Sequence, residues 1–296
     1  MNGKKILNRL IKLFVVLNLV LFAFNYVSKS NEYLLSKDRV EQITQLLENE
    51  GIKIEGALIR DYSPKKQANL LYKGDSLSIR DDIVKNLFTS DLASVKRFKK
   101  DSEKYPSEEV KCYALNGETL TFDKYELGYE NSNVSTSGPE LNLEQAKKLC
   151  VSLMNRLGMK INEADYEVVS QKENGGWQLA YYYKLEGVPV QDLYMQFEVY
   201  REGVARAIIY LGEVEIISSE GKEIYPVDLV LFGLEEELLE NQYTSIESVS
   251  MIYKKLDDEE SIWGQQIVPV YKIEISGLEK LLFVNAYTNE ILREGK

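Results

Sequence analysis

Residues 10–27 read LIKLFVVLNLVLFAFNYV, 18 residues with one charge among them. As a helix they span about 27 Å, close to the roughly 30 Å hydrocarbon thickness of a bilayer. In lipid every backbone polar group must be satisfied within the segment, and a helix is the only single-segment answer. Lys12 lies near the start of the run, where its amine can snorkel to the headgroups. Tyr26 suits an aromatic belt at the other end. Lys4, Lys5, Arg9 and Lys12 precede or open the run. The positive-inside rule therefore assigns residues 1–9 to a cytoplasmic tail and the bulk of the chain to the extracytoplasmic side of the cell membrane, as a single-pass protein. A cleaved signal peptide is the competing reading, with Ser28-Lys29-Ser30 as a small-x-small site; the length of the run and Lys12 within it favour a retained anchor.

Asn18 and Asn25 recur at a seven-residue interval, which places them on one helix face with Phe14 and Leu21. An amide in hydrocarbon seeks a partner, and a neighbouring helix supplies one for about 0.6–2 kcal/mol. Asn18, Asn25, Phe14 and Leu21 are the candidate partner-binding face.

The chain carries −11, of which +5 lies before residue 31 with no acid, leaving −16 on residues 31–296. Such a region repels nucleic acid and anionic headgroups, so no nucleic-acid partner is expected. The sequence contains no histidine. This excludes Ser-His-Asp and Cys-His catalysis and histidine-ligated zinc from within the chain. Dinucleotide, P-loop and nucleophile-elbow motifs are absent, so neither an enzyme nor a cofactor is expected. Asp81-Asp82 and Asp257-Asp258-Glu259-Glu260 are charge runs of the kind that lie solvated on a surface. Ser63-Pro64-Lys65-Lys66 fits Ser-x-x-Lys without companion motifs. Cys112 and Cys150 form no C-x-x-C pair. They are read as two buried free thiols, with one disulfide as the alternative if the fold brings them together. The 20 tyrosines favour half-buried strands whose rings pack while their hydroxyls stay wet.

Periodicity predicts a helix over 32–50, strands at 52–60 and 68–72, and a helix at 79–88. Strands follow at 95–99, 110–115, 119–122 and 125–129, with Asn116-Gly117 as a hairpin turn. The polar stretch 131–140 reads as a domain boundary. An amphipathic helix over 142–158 has Asn142 as cap and Gly158 as stop. Strands at 166–171, 177–185, 193–200 and 205–211 complete a cycle. A second cycle has a helix at 227–239 and strands at 248–254, 268–275, 281–286 and 291–293. The expected class is α+β: a single N-terminal transmembrane helix, then two extracytoplasmic domains of antiparallel sheets with packed helices. Their spans are 32–130 and 141–296, the second built from units 142–217 and 225–294.

Val268-Pro269-Val270-Tyr271-Lys272 and Leu282-Phe283-Val284-Asn285-Ala286-Tyr287-Thr288-Asn289-Glu290-Ile291 close the chain. With the basic tail and single anchor, they resemble the YycI family of Gram-positive bacteria. Trp177-Gln178-Leu179 through Gly187-Val188-Pro189-Val190 resembles that family's earlier repeat, and both motifs also resemble PepSY-type repeats. Where a glycine commonly follows the threonine of the last turn, this chain has Asn289, which also tolerates positive φ. The resemblance implies a non-enzymatic accessory regulator of a WalK-type sensor histidine kinase that controls cell-wall metabolism. It would act through transmembrane contacts together with a YycH-like membrane protein. The alternative is a PepSY-like extracytoplasmic binding module that inhibits or escorts a secreted peptidase.

Overall fold

The computed structural model describes residues 32–73, 77–89, 91–102, 109–137, 139–161, 166–172, 174–240, 245–256, 264–276 and 281–292, with Phe14, Leu17 and Asn18. Among them, four α-helices run Lys37–Asn49 (α1), Leu77–Leu87 (α2), Leu143–Arg156 (α3) and Val227–Glu240 (α4). The strands are Lys53–Ile54 (β1), Lys65–Tyr72 (β2), Lys96–Asp101 (β3), Glu109–Leu115 (β4), Glu118–Phe122 (β5), Glu126–Asn131 (β6), Tyr166–Gln171 (β7) and Trp177–Leu185 (β8). They continue as Val188–Tyr200 (β9), Gly203–Tyr210 (β10), Gly212–Lys222 (β11), Ser245–Lys255 (β12), Gln265–Ile275 (β13), Leu282–Asn285 (β14) and Ile291–Leu292 (β15). The class is mixed α+β with a large sheet. Three times along the chain a helix is followed by four strands, each paired with the next: α2 with β3–β6, α3 with β7–β10, and α4 with β12–β15.

The chain divides into two compact units. The first holds residues 1–65, 221–250 and 271–296, the second 66–220 and 251–270. The polar stretch 131–140 lies within the second unit.

In the first unit, α1 starts where Ser36 accepts a hydrogen bond from the Arg39 N–H and ends before Gly51, whose φ is +88°. It buries Ile43 and Leu47, while α4 buries Val230, Leu231, Leu234 and Leu238. Arg39 clamps the two helices with a bidentate fork on Asp228, Nε to Oδ2 at 2.8 Å and Nη2 to Oδ1 at 2.9 Å. The expected strand at 52–60 shrinks to the two residues of β1, which pair in parallel with Ser245 and Ile246. Beyond it Leu34 and Asp61 form an isolated bridge.

The C-terminal hairpin β14–β15 turns on Asn289, whose φ is +61°. The Asn285 carbonyl accepts from the N–H groups of Thr288 and Asn289, and Asn285 N–H donates to Glu290 O. Asparagine thus occupies the left-handed position that glycine would otherwise fill.

In the second unit, β7-β8-β9-β10-β6-β5-β4-β3 form an antiparallel sheet in register. One row across it reads Val169, Leu179, Phe197, Ala207, Tyr129, Leu120, Tyr113 and Arg97. The six central members are buried on the face that carries α3. The hairpin β4–β5 turns through Asn116 and Gly117 with φ of +50° and +83°, as a two-residue loop of the type compatible with strand twist demands. Glu186-Gly187 does the same between β8 and β9. Helix α3 begins at Asn142, whose side chain accepts from Gln145 N–H at 2.8 Å. It buries Ala146, Cys150, Leu153 and Met154. Cys112 and Cys150 are both free and buried.

Candidate functional site

Of the expected anchor face, Phe14 and Asn18 are described, together with Leu17; all three are helical and exposed. The Asn18 amide donates to the Phe14 carbonyl at 2.9 Å. One of its two N–H donors is therefore used within its own helix, and the second donor and the carbonyl oxygen are what a neighbouring helix would meet. Leu21, Asn25 and the rest of residues 10–27 lie outside the described residues. Among the described residues, no helix is long and apolar enough to cross a membrane.

A groove of about 520 Å³ opens in the second unit beside the start of α3, lined by Glu140, Leu141, Gln145, Lys148, Leu149 and Arg201. Helical spacing turns Gln145, Lys148 and Leu149 to one side. Arg201 comes from the tight turn between β9 and β10. The approach to the helix is pinned by Trp177, whose Nε1–H donates to Leu141 O at 2.6 Å, and by Leu141 N–H on Gly175 O at 3.3 Å. Neither Lys148 nor Arg201 has an ion-pair partner among the described residues. Two free cations and an amide over an apolar floor can hold a carboxylate-bearing ligand. The lining carries one ionisable acid, Glu140, beside the two cations. Sequence reasoning passed over Lys148 and Arg201, because 53 positions separate them and neither belongs to a local motif.

A second polar cluster braces the far end of α3. Arg156 Nη2 donates to Glu118 Oε1 and Oε2 at 2.8 Å each, and Tyr129 OH donates to Glu118 Oε1 at 2.5 Å. Burial first, and then the hydrogen bond to Glu118, push the Tyr129 phenol well above its usual range. This cluster ties helix to sheet. Of the Ser-x-x-Lys stretch, the nearly buried Lys65 donates to Ser63 Oγ at 2.9 Å and faces Asp61 at 3.6 Å, while Lys66 pairs with Glu186 at 3.1 Å. Asp81 and Asp82 are exposed on α2. No group of three or more metal-ligating side chains occurs among the described residues.

Neither a family model nor a curated protein matches the chain. Among solved structures, an uncharacterized protein from Eubacterium rectale superposes with a TM-score of 0.55 at 12% identity, covering 82% of this chain and 90% of its own. The likeness is one of fold. The Bacillus megaterium YpeB C-terminal domain matches at a TM-score of 0.40 and 10% identity, over 74% of this chain and 96% of that one. YycH from Bacillus subtilis matches at 0.42 and 12%, over 78% of this chain and 55% of that one. The fold comparison rests on the first of the three.

Proposed function

We propose that this chain is a non-enzymatic, membrane-anchored accessory regulator of a WalK-type sensor histidine kinase, working with a YycH-like membrane protein. The observation that carries the reading is the C-terminal motif. Residues 268–272 lie in β13, residues 282–291 form the β14 hairpin, and Asn289 adopts the positive φ of the family's glycine. The basic tail and the apolar run at 10–27 support it from the other end of the chain. In this reading the extracytoplasmic region sets the pose of the anchor helix, whose face at Phe14, Asn18, Leu21 and Asn25 packs on kinase helices. Such a partner shifts the kinase equilibrium only by its differential affinity for the two states.

The test replaces Asn18 and Asn25 with leucine at equal expression, and separately exchanges the whole of 10–27 for an unrelated membrane helix. Co-purification with the kinase and transcription of its targets are measured. Both should change by a finite factor. Wild-type values in both variants refute the anchor contact. The groove between Lys148 and Arg201 favours one second reading, a PepSY-like module that captures a carboxylate-bearing segment of a secreted peptidase. That module should act as residues 32–296 alone, whereas a kinase regulator should require its own anchor.

A further inference from the structure

One edge of the second unit is β3, the terminal strand of the in-register sheet. It pairs with β4 and with no other strand among the described residues. All six of its residues are exposed. Its sequence, Lys96-Arg97-Phe98-Lys99-Lys100-Asp101, places four cations in six positions, within a region that carries −16 overall. Lys99 stands directly opposite Lys111 of β4 on the same face. Like charges so placed destabilise a strand pair, and only Lys99 is relieved, by Glu109. Lys96, Lys100 and Lys111 have no carboxylate within ion-pair distance among the described residues. Arg97 lies over the Tyr113 ring at 6.0 Å, its charge open to solvent. Phe98, 48% exposed, stands in the middle of the row.

We propose that β3 is a docking edge that receives an extended acidic segment of a partner protein as an added strand. An open edge presents backbone N–H and C=O groups at the repeat of a β-strand, and these recognise another extended peptide whatever its side chains. The charges then select among peptides. A second β3 would bring four more cations, so the edge does not pair with itself. A basic or neutral strand gains nothing from the cations, whereas an alternating acidic one presents its carboxylates to Lys96 and Lys100, which share the face opposite that of Lys99 and Lys111. Edge lysines also serve simply to deter aggregation. That role is met by one or two charges, and it does not call for an exposed phenylalanine between them. The unpaired backbone is what favours a peptide over a polyanion such as a phosphate polymer, which needs the cations alone. The inference is independent of the anchor reading, since it uses only the second unit.

The test uses the full chain in detergent with a fluorescent peptide of alternating sequence, (Glu-Val)4. Anisotropy should report binding that weakens at least tenfold in the Lys96→Glu, Lys100→Glu double variant and on raising salt from 50 to 500 mM. Hydrogen exchange should slow at the amides of residues 96–101 in the complex. A version of the peptide with a central proline, which lacks the N–H donor, should bind at least tenfold more weakly than the parent. Equal binding of the proline peptide, or full displacement by inorganic polyphosphate without protection of the 96–101 amides, overturns strand addition in favour of a polyanion patch. No binding of the acidic peptide, or equal binding of (Lys-Val)4, overturns the proposal altogether. Both charge-reversed positions are exposed and have no ion-pair partner among the described residues, so the variant should keep the wild-type circular dichroism spectrum and melting curve. If it does not, the single Lys96→Gln and Lys100→Gln variants are read in its place.

Discussion

Tyr271 is fully buried in the first unit, and its hydroxyl donates to the Tyr225 carbonyl at 2.7 Å, just before α4 begins. Two substitutions separate what the hydroxyl and the ring contribute. Tyr271→Phe removes one donor and leaves the ring in place, a net loss of about 0.5–1.5 kcal/mol. Tyr271→Ala removes the ring as well and opens a cavity where a fully buried side chain stood, a loss of about 3–5 kcal/mol. With a urea m-value of about 2–3 kcal/mol/M, the midpoint should fall by about 0.4 M for the phenylalanine variant and by about 1.5 M for the alanine variant. Far-UV circular dichroism during denaturation reads both. The same residue sets an alkaline limit. Burial, then the charges of Asp61 and Asp228, raise its phenol well above the ordinary tyrosine value of 10.0. The folded state therefore holds a proton that the unfolded chain releases. This contribution is complete below pH 10 and is lost as pH rises from there toward the folded pKa, at up to about 1.4 kcal/mol per pH unit. Tyr271→Phe should flatten that decline. An alanine variant costing less than about 1 kcal/mol, or an alkaline limb unchanged by Tyr271→Phe, would refute the reasoning.

Asn289→Gly should leave the melting temperature within a degree or two. Asn289→Val, forced to a positive φ, should cost about 1–2 kcal/mol, measured by thermal unfolding. The hydrogen bonds from Lys272 and Ser248 hold the Glu274 carboxyl below its usual range despite partial burial. Its contribution is therefore present above about pH 4.5 and lost as pH falls through the lowered folded pKa, so Glu274→Gln should make stability less steep in acid. Protease added to intact protoplasts should digest residues 32–296; recovery of a mature chain beginning at Asn31 would refute the retained anchor.

Elements with a local cause were legible in the sequence. Asn142, the apolar stripe and Gly158 set α3 to within two residues of its expected bounds. Asn116-Gly117 set the β4–β5 hairpin, and the apolar side of α3 marked Cys150 as a buried thiol. Elements decided by distant partners were not. Strand β11 went unread because most of its side chains are exposed, Ile216 and Ile217 among them, so no alternation marks it; its position comes from pairing with β2. The first of the helix-and-four-strand segments, residues 77–131, reads in the sequence as separate elements, because its strands are short and five of the six residues of β3 are charged. The groove cations Lys148 and Arg201 carry no local signal at all. They line one groove because α3 packs on β9 and β10.

The threading of the chain governs the order in which it can fold. The second unit is nearly contiguous, with residues 66–220 lacking only 251–270. The first unit joins Leu35, Ile43 and Ile52 to Ile273 and Phe283 across more than two hundred intervening residues. Loop closure over such a separation is slow compared with local hairpins and helices. During synthesis residues 32–65 therefore wait, with the apolar stripe of α1 uncovered, until α4 and β12 have emerged to pack on α1 and pair with β1. A chain cut short before α4 leaves that segment without those partners, while residues 66–220 of the second unit have already been made. Helix α4 and strand β12 thus act as the latch for residues 32–65, which are made more than a hundred and fifty residues before them.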